Sequence, residues 1–194
     1  MSESMLVTGG LQTLEPEPAA LLRLLDRHIE EWGLADGAES MIMPPLLTVA
    51  DLAALDVYDN FPHQALVACA LDLGQQDGTT RRGVSAFPPS SLLDARLALP
   101  TAACFAVYLH LRGRSVPDRL LVTVLGRCFR REQAYDGLRR LLGFHMREVV
   151  AIGTRETVTE HLRIFGERIA AFAAALDLPV RRDVATDPFY DRGG

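Results

Sequence analysis

Two short stretches hold the densest chemistry of the chain: Arg130 and Glu132 at the end of one strand-like run, and Arg147 and Glu148 on the run that follows. Side chains alternate faces along a strand, so Arg130 and Glu132 share a face. A guanidinium so placed could hold a phosphate through two parallel hydrogen bonds, while the neighbouring carboxylate accepts from an exocyclic amine or orients the arginine. The same pattern also suits a solvated charge cluster at a hairpin end, where ion pairs contribute little. Cys69, Cys104 and Cys128 are odd in number and widely spaced, which speaks against a disulfide framework and for a reducing cytoplasm. A cysteine on a helix face is commonly a small buried hydrophobe. His28, His110 and His161 fall in helical periodicity, where core or surface roles prevail. His63 stands in a Phe-Pro-His context, and His145 opens the second charged stretch.

The elements that must position these residues follow from periodicity. Behind Pro16 and Pro18, the residues Leu21, Leu24, Leu25, His28, Ile29 and Trp32 recur at helical spacing, with Gly33 as the expected end. Met41 to Leu46, broken by Pro44 and Pro45, reads as an extended edge segment, and Thr48 as the cap of a short helix through Leu55. Asp72 to Pro89, rich in glycine and proline, reads as an irregular insertion. Pro100 and Thr101 open a second helix, with Cys104, Val107, Tyr108 and Leu111 on one face and Gly113 at its end. Leu120 to Arg127 and Phe144 to Ile152 read as the two strands of a long antiparallel hairpin. Thr154 caps a third helix carrying Val158, Leu162, Phe165, Ile169, Phe172 and Leu176, and Pro179 to Ala185 is expected to return as a strand. This order predicts an α+β fold, an antiparallel sheet flanked by helices.

With 194 residues and 48% hydrophobic content, the chain suits one domain with a sizeable core. Its net charge of -5 argues against a surface that binds nucleic acid by broad phosphate neutralisation. The basic charge is carried by arginine, whose fork matches carboxylate and phosphate, although a GC-rich genome also enriches it. Charged residues interrupt every apolar run well short of a membrane span, so no membrane association is expected.

The run Cys128-Phe-Arg-Arg-Glu132, a variable loop, and then Phe144-His-Met-Arg-Glu148-Val-Val-Ala-Ile-Gly-Thr154 resembles motif 2 of the class II aminoacyl-tRNA synthetases. It is most similar to the amino acid:carrier protein ligases, homologues of the seryl-tRNA synthetase catalytic core that charge a carrier protein instead of tRNA. His145 stands where those proteins usually have Arg, and Val149 where they have Tyr. Pro44-Pro45-Leu-Leu-Thr48 resembles the motif 1 region, Phe61-Pro62-His63 a substrate-side segment, and Ala102-Ala103-Cys104 the helix start bearing a zinc cysteine. Ala185-Thr-Asp-Pro-Phe189 and Arg192-Gly-Gly194 also look like the family. The resemblance therefore runs in order along nearly the whole chain, with motif 1 near 41–63 and motif 2 over 120–152.

The resemblance implies ATP, with Mg, as cofactor. Arg130 would grip the α-phosphate as the catalytic residue, Glu132 would face the adenine side, and Phe144 would stack on the base. It implies zinc held by Cys104 and Glu148, with a third ligand beyond residue 194 and an open position for the substrate amino group. It further implies a homodimer paired through motif 1, and an amino acid and an acyl or peptidyl carrier protein as partners. No motif 3 is visible, so residues 1–194 are expected to be a single class II catalytic domain incomplete at its C-terminal end and poorly active alone. Two further functions stay open, a seryl-type aminoacyl-tRNA synthetase and a non-catalytic binding or regulatory paralogue. The acidic balance and the lack of a coiled-coil arm before the core make tRNA an unlikely partner.

Overall fold

Pro16 opens the first helix, α1 (Pro16–Ala35), at a position where a missing amide costs nothing. Gly33 does not end it. A Cβ on Gly33 would stand 3.1 Å from Val149 Cγ2 and 3.4 Å from Thr123 Cβ, so this glycine lets the helix lie close against the sheet. The exit is made two residues beyond the helix, where Gly37 has φ of 88°. The computed structural model describes residues 10–72, 74 and 83–183. The chain divides into two compact units, one of Met1–Gln12, Pro44–Phe105 and Arg127–His145, the other of Thr13–Met43, Ala106–Gly126 and Met146–Gly194.

The second of these units contains α1, strand β1 (Glu39–Met41) and most of two long strands introduced here as β5 (Arg119–Phe129) and β6 (Gly143–Gly153). Between β1 and β5 the chain forms β2 (Leu47–Thr48), α2 (Val49–Ala54), α3 (Val57–Asn60), β3 (Leu66–Ala68), a 3-10 turn at Pro89–Ser91, β4 (Leu97–Leu99) and α4 (Cys104–Leu111). After β6 comes α5 (Arg155–Ala175). The long sheet has the order β1-β5-β6. Arg130 N donates to Leu142 O at 2.9 Å and Thr154 N to Asp118 O at 3.2 Å. Pairing 130 with 142 and 118 with 154 requires antiparallel strands, the hairpin expected from the sequence. β1 joins on the other side of β5 in parallel, with Glu39 opposite Val122 and Met41 opposite Val124. A parallel pair needs a long crossover, which the elements from β2 to α4 supply. Leu121, Val122, Thr123 and Val124 are all buried, the centre of this core.

In the first unit, β2-β4-β3 form a small antiparallel sheet around Ala98, which is fully buried. Thr48 caps α2 by accepting from Asp51 N at 3.0 Å. The core residues here include Leu52, Val57 and Phe61.

Several sequence expectations are revised. Along the second expected helix, burial is not one face: Ala102 to Val107 are buried without interruption while Tyr108 is exposed, and the helix begins at Cys104, not at Pro100 or Thr101, and ends at Leu111. α5 is capped by Thr154, which accepts from Thr157 N, but of its apolar series only Phe165 is buried. Leu162 is 73% exposed and Ile169 54%, because the helix instead turns His161, Phe165, Arg168 and Phe172 toward α1 and β6. Pro179 to Asp183 form no strand. Val184 onward, including the segments 185–189 and 192–194, and residues 73 and 75–82 of the glycine-rich stretch, lie outside the described residues. Among the described residues no helix is long and apolar enough to cross a membrane.

Candidate functional site

Arg130 follows the last residue of β5, where the hairpin begins to turn. Phe129 N donates to Pro100 O at 2.9 Å and Arg130 N to Leu142 O at 2.9 Å, which fixes the backbone on both sides. The Arg130 guanidinium is held at its inner edge, where Nε donates to the carbonyl of the buried Thr101 at 3.0 Å. Its Cζ lies 5.4 Å from the centroid of the Phe144 ring, a cation–π arrangement that orients the plane. Among the described residues it pairs with no carboxylate, and its two terminal nitrogens keep their donors. A bidentate donor that is oriented yet uncompensated suits an anion.

Glu132 lies two residues on. Its amide donates to Tyr135 Oη at 3.2 Å, and its carboxylate meets Arg140 Nη1 at 3.4 Å, with Arg140 largely exposed. Arg131 N, between them, donates to Gln64 O at 3.0 Å. Arg130, Glu132 and Phe144 thus occupy one unit around one turn.

Arg147 does something else, although its spacing looks equivalent in sequence. Nε and Nη2 donate to the two carboxylate oxygens of Asp26 at 2.7 and 3.0 Å, and Nη1 to Glu30 at 3.2 Å and to Thr123 Oγ1 at 3.2 Å. Its side chain is 9% exposed. Burial alone would lower its pKa, but the bonds and charges of Asp26 and Glu30 outweigh that and raise it. With its acceptors already in place, this arginine ties α1 to the sheet. Asp26 and Glu30 sit one helical turn apart on α1, a spacing that could have signalled the pair.

Cys104 is buried at the start of α4 and Glu148 is half-buried on β6, each within its own compact unit. Cys128 is buried and Cys69 exposed. Among the described residues no group of three or more His, Cys, Asp or Glu could hold a metal ion. Two donors do not complete the tetrahedral set that zinc takes, so the described residues do not make a zinc site by themselves, and no chemical step is derived through one. His63 and His145 are exposed. Sequence reasoning missed Tyr135 and Arg140, which lie in the variable loop, and the carbonyl of Thr101, since backbone acceptors carry no residue signal.

A cavity of about 330 Å3 in the second unit is lined by Asp36, Arg119, Glu156, Glu160 and His161. Its carboxylates are already engaged, Asp36 by Arg168 and Glu160 by Arg163, whose hydrogen bond lowers the Glu160 pKa. Arg119 of this lining donates to the Asp36 carbonyl at 3.0 Å, but among the described residues it lies over no aromatic ring as Arg130 lies over Phe144.

Amino acid–acyl-carrier-protein ligase 1 of Bradyrhizobium diazoefficiens is 35% identical over 165 residues, covering 81% of this chain and 50% of the ligase. Ligase 2 of the same organism is 32% identical over 163 residues, covering 80% of this chain and 48% of the ligase. The chain therefore spans about half the length of the curated relatives it matches. No family model matches. Among solved structures, M. kandleri SerRS in complex with A. aeolicus tRNASec superposes with a TM-score of 0.78 at 23% identity, covering 95% of this chain and 38% of that one. Seryl-tRNA synthetase from Pyrococcus horikoshii complexed with ATP gives 0.60 at 18% identity, covering 87% and 33%. The chain thus has the fold of the class II seryl-tRNA synthetases, with amino acid–acyl-carrier-protein ligases as its sequence relatives.

Proposed function

We propose that this protein activates an amino acid with ATP and passes it to the phosphopantetheine thiol of a carrier protein. The observation that carries the reading is the Arg130 guanidinium, oriented by Thr101 and Phe144 and left without a carboxylate among the described residues. In the proposed first step the amino acid carboxylate attacks the α-phosphorus of ATP, and pyrophosphate leaves with the electron pair of the broken P–O bond. Negative charge builds on the α-phosphate oxygens, and a fixed guanidinium stabilises that arrangement more than the ground state. In the second step the thiol sulfur attacks the aminoacyl carbonyl, AMP departs, and the thiol proton is lost to solvent. Glu132 takes the adenine side and Phe144 stacks on the base. Mg accompanies ATP as its counter-ion.

The relatives' names support a carrier protein as acceptor. The fold is shared with a synthetase crystallised with tRNA and does not separate the two acceptors. Removal of Arg130 is the test. Arg130→Ala is expected to lower amino-acid-dependent ATP–pyrophosphate exchange by two to three decades, about 2–4 kcal/mol at the transition state, with the fold unchanged by circular dichroism. Exchange at the parent rate takes Arg130 out of the mechanism.

Zinc held by Cys104, Glu148 and a further ligand belongs to the same reading as a selectivity device for the amino group. One zinc per subunit is then expected, and its chelation should weaken amino acid binding more than ATP binding. Active protein with no zinc by elemental analysis removes the metal from the proposal.

A further inference from the structure

The turn that joins β5 to β6 is braced from within by the side chain of Tyr135. The Tyr135 hydroxyl accepts from the amide of Glu132 at 3.2 Å and lies 3.5 Å from the carbonyl oxygen of Arg130, to which it donates. The ring is fixed as well. A Cβ on Gly10 would stand 2.7 Å from Tyr135 Cδ1 and equally close to Leu142 Cβ, so ring and strand end pack directly on the glycine backbone. Gly10 O in turn accepts from Leu142 N at 2.9 Å, and Leu142 O accepts from Arg130 N at 2.9 Å. Gly10, Leu142, Arg130 and Tyr135 therefore form one closed circuit.

That circuit sets the direction of the backbone between Arg130 and Glu132. Both bonds of the hydroxyl go to main-chain atoms of those two residues, so it acts on where their side chains point without needing to reach any ligand. The other restraint on Glu132 is the contact with the exposed Arg140, which solvent screens. A site whose groups must be held within about half an ångström depends on such supporting contacts.

We infer that Tyr135 is a positioning residue for nucleotide recognition: its hydroxyl holds the Arg130–Glu132 backbone so that guanidinium and carboxylate meet the phosphate and the base together. The inference rests on the proposed assignment of Arg130 and Glu132 to ATP. A brace that served only the fold would add stability and leave nucleotide preference alone.

The two are separated by calorimetric titration of the protein with non-hydrolysable ATP and GTP analogues, alongside thermal unfolding. Tyr135→Phe keeps the ring on Gly10 and removes the hydroxyl. It is expected to raise Kd for the ATP analogue about 5-fold, the worth of roughly one neutral hydrogen bond, and to shrink the preference for the ATP over the GTP analogue. Tyr135→Ala, which also loses the packing, is expected to weaken binding at least as much; should it fail to fold, the phenylalanine variant decides. An unchanged Kd and unchanged preference in Tyr135→Phe overturn the inference, whatever happens to Tm. Arg130→Ala run in parallel tells the two levels apart. If it weakens binding while Tyr135→Phe does not, only the role of Tyr135 falls. If Arg130→Ala binds like the parent, or the parent binds neither analogue, both fall.

Discussion

At the scale of single residues, Arg130 and Arg147 divide two functions that look alike on the page of a sequence. Both lie on the hairpin, and both are followed closely by glutamate. Arg147 is saturated by Asp26, Glu30 and Thr123, whereas Arg130 is oriented by a carbonyl and an aromatic face with its terminal donors kept. Opposite consequences follow for mutation. Arg147→Met removes one partner of a largely buried cluster and leaves Asp26 and Glu30, each about a quarter exposed, facing an apolar chain. It is expected to cost about 1–3 kcal/mol of stability, less than a fully buried pair because solvent reaches both carboxylates. Urea denaturation checks this through a lower midpoint at unchanged slope, and the folded variant should still bind the ATP analogue. A midpoint equal to the parent's would mean that α1 is held to the sheet by packing alone.

At the scale of elements, the hairpin and its flanking helices are placed by a few close approaches. Gly33 lets α1 lie against Val149 and Thr123, and His161 of α5 reaches the Val149 carbonyl at 2.9 Å. The two helices then meet through His28, Trp32 and Phe172, with ring centroids 4.9 to 5.4 Å apart, and through Arg168, which pairs with Asp36 and lies over Phe165. Trp32 and Phe172 meet edge to face, the preferred arrangement of two aromatic rings. The polar and aromatic face of α5 thus does the packing, and the aliphatic series Leu162, Ile169 and Leu176 stays exposed. Helical spacing identified the helix but not which of its faces would be covered.

At the scale of the whole molecule, the fold shared with seryl-tRNA synthetases says nothing of how many copies assemble. A homodimer paired through the segment near Pro44 and Pro45 belongs to the proposed function. Sedimentation of the protein at micromolar concentration is expected to give twice the chain mass. Charge reversal in that segment is expected to return the monomer, and a parent protein that sediments as a monomer would count against the pairing.

The starts of α1, α2 and α5, the hairpin and the location of the charged turn were legible in the chain, because capping residues, proline positions and apolar periodicity act locally, whereas α4 begins at Cys104 and not at the expected Pro100 and Thr101. Thr48 and Thr154 cap the helices expected of them, and the strands fall within one or two residues of their expected bounds. The parallel pairing of β1 with β5, the role of Gly33 as a packing residue, the absence of a strand over residues 179–183 and the exposure of the α5 series were not legible. Each depends on what lies opposite an element, and that partner is supplied by residues far away in sequence. The candidate site divides in the same way. Arg130, Glu132 and Phe144 could be named from their own motif, but only the tertiary structure decided that Arg147 is spoken for by α1 and that Tyr135 braces the turn, since a hydrogen bond across the fold leaves no trace in the spacing of the residues that make it.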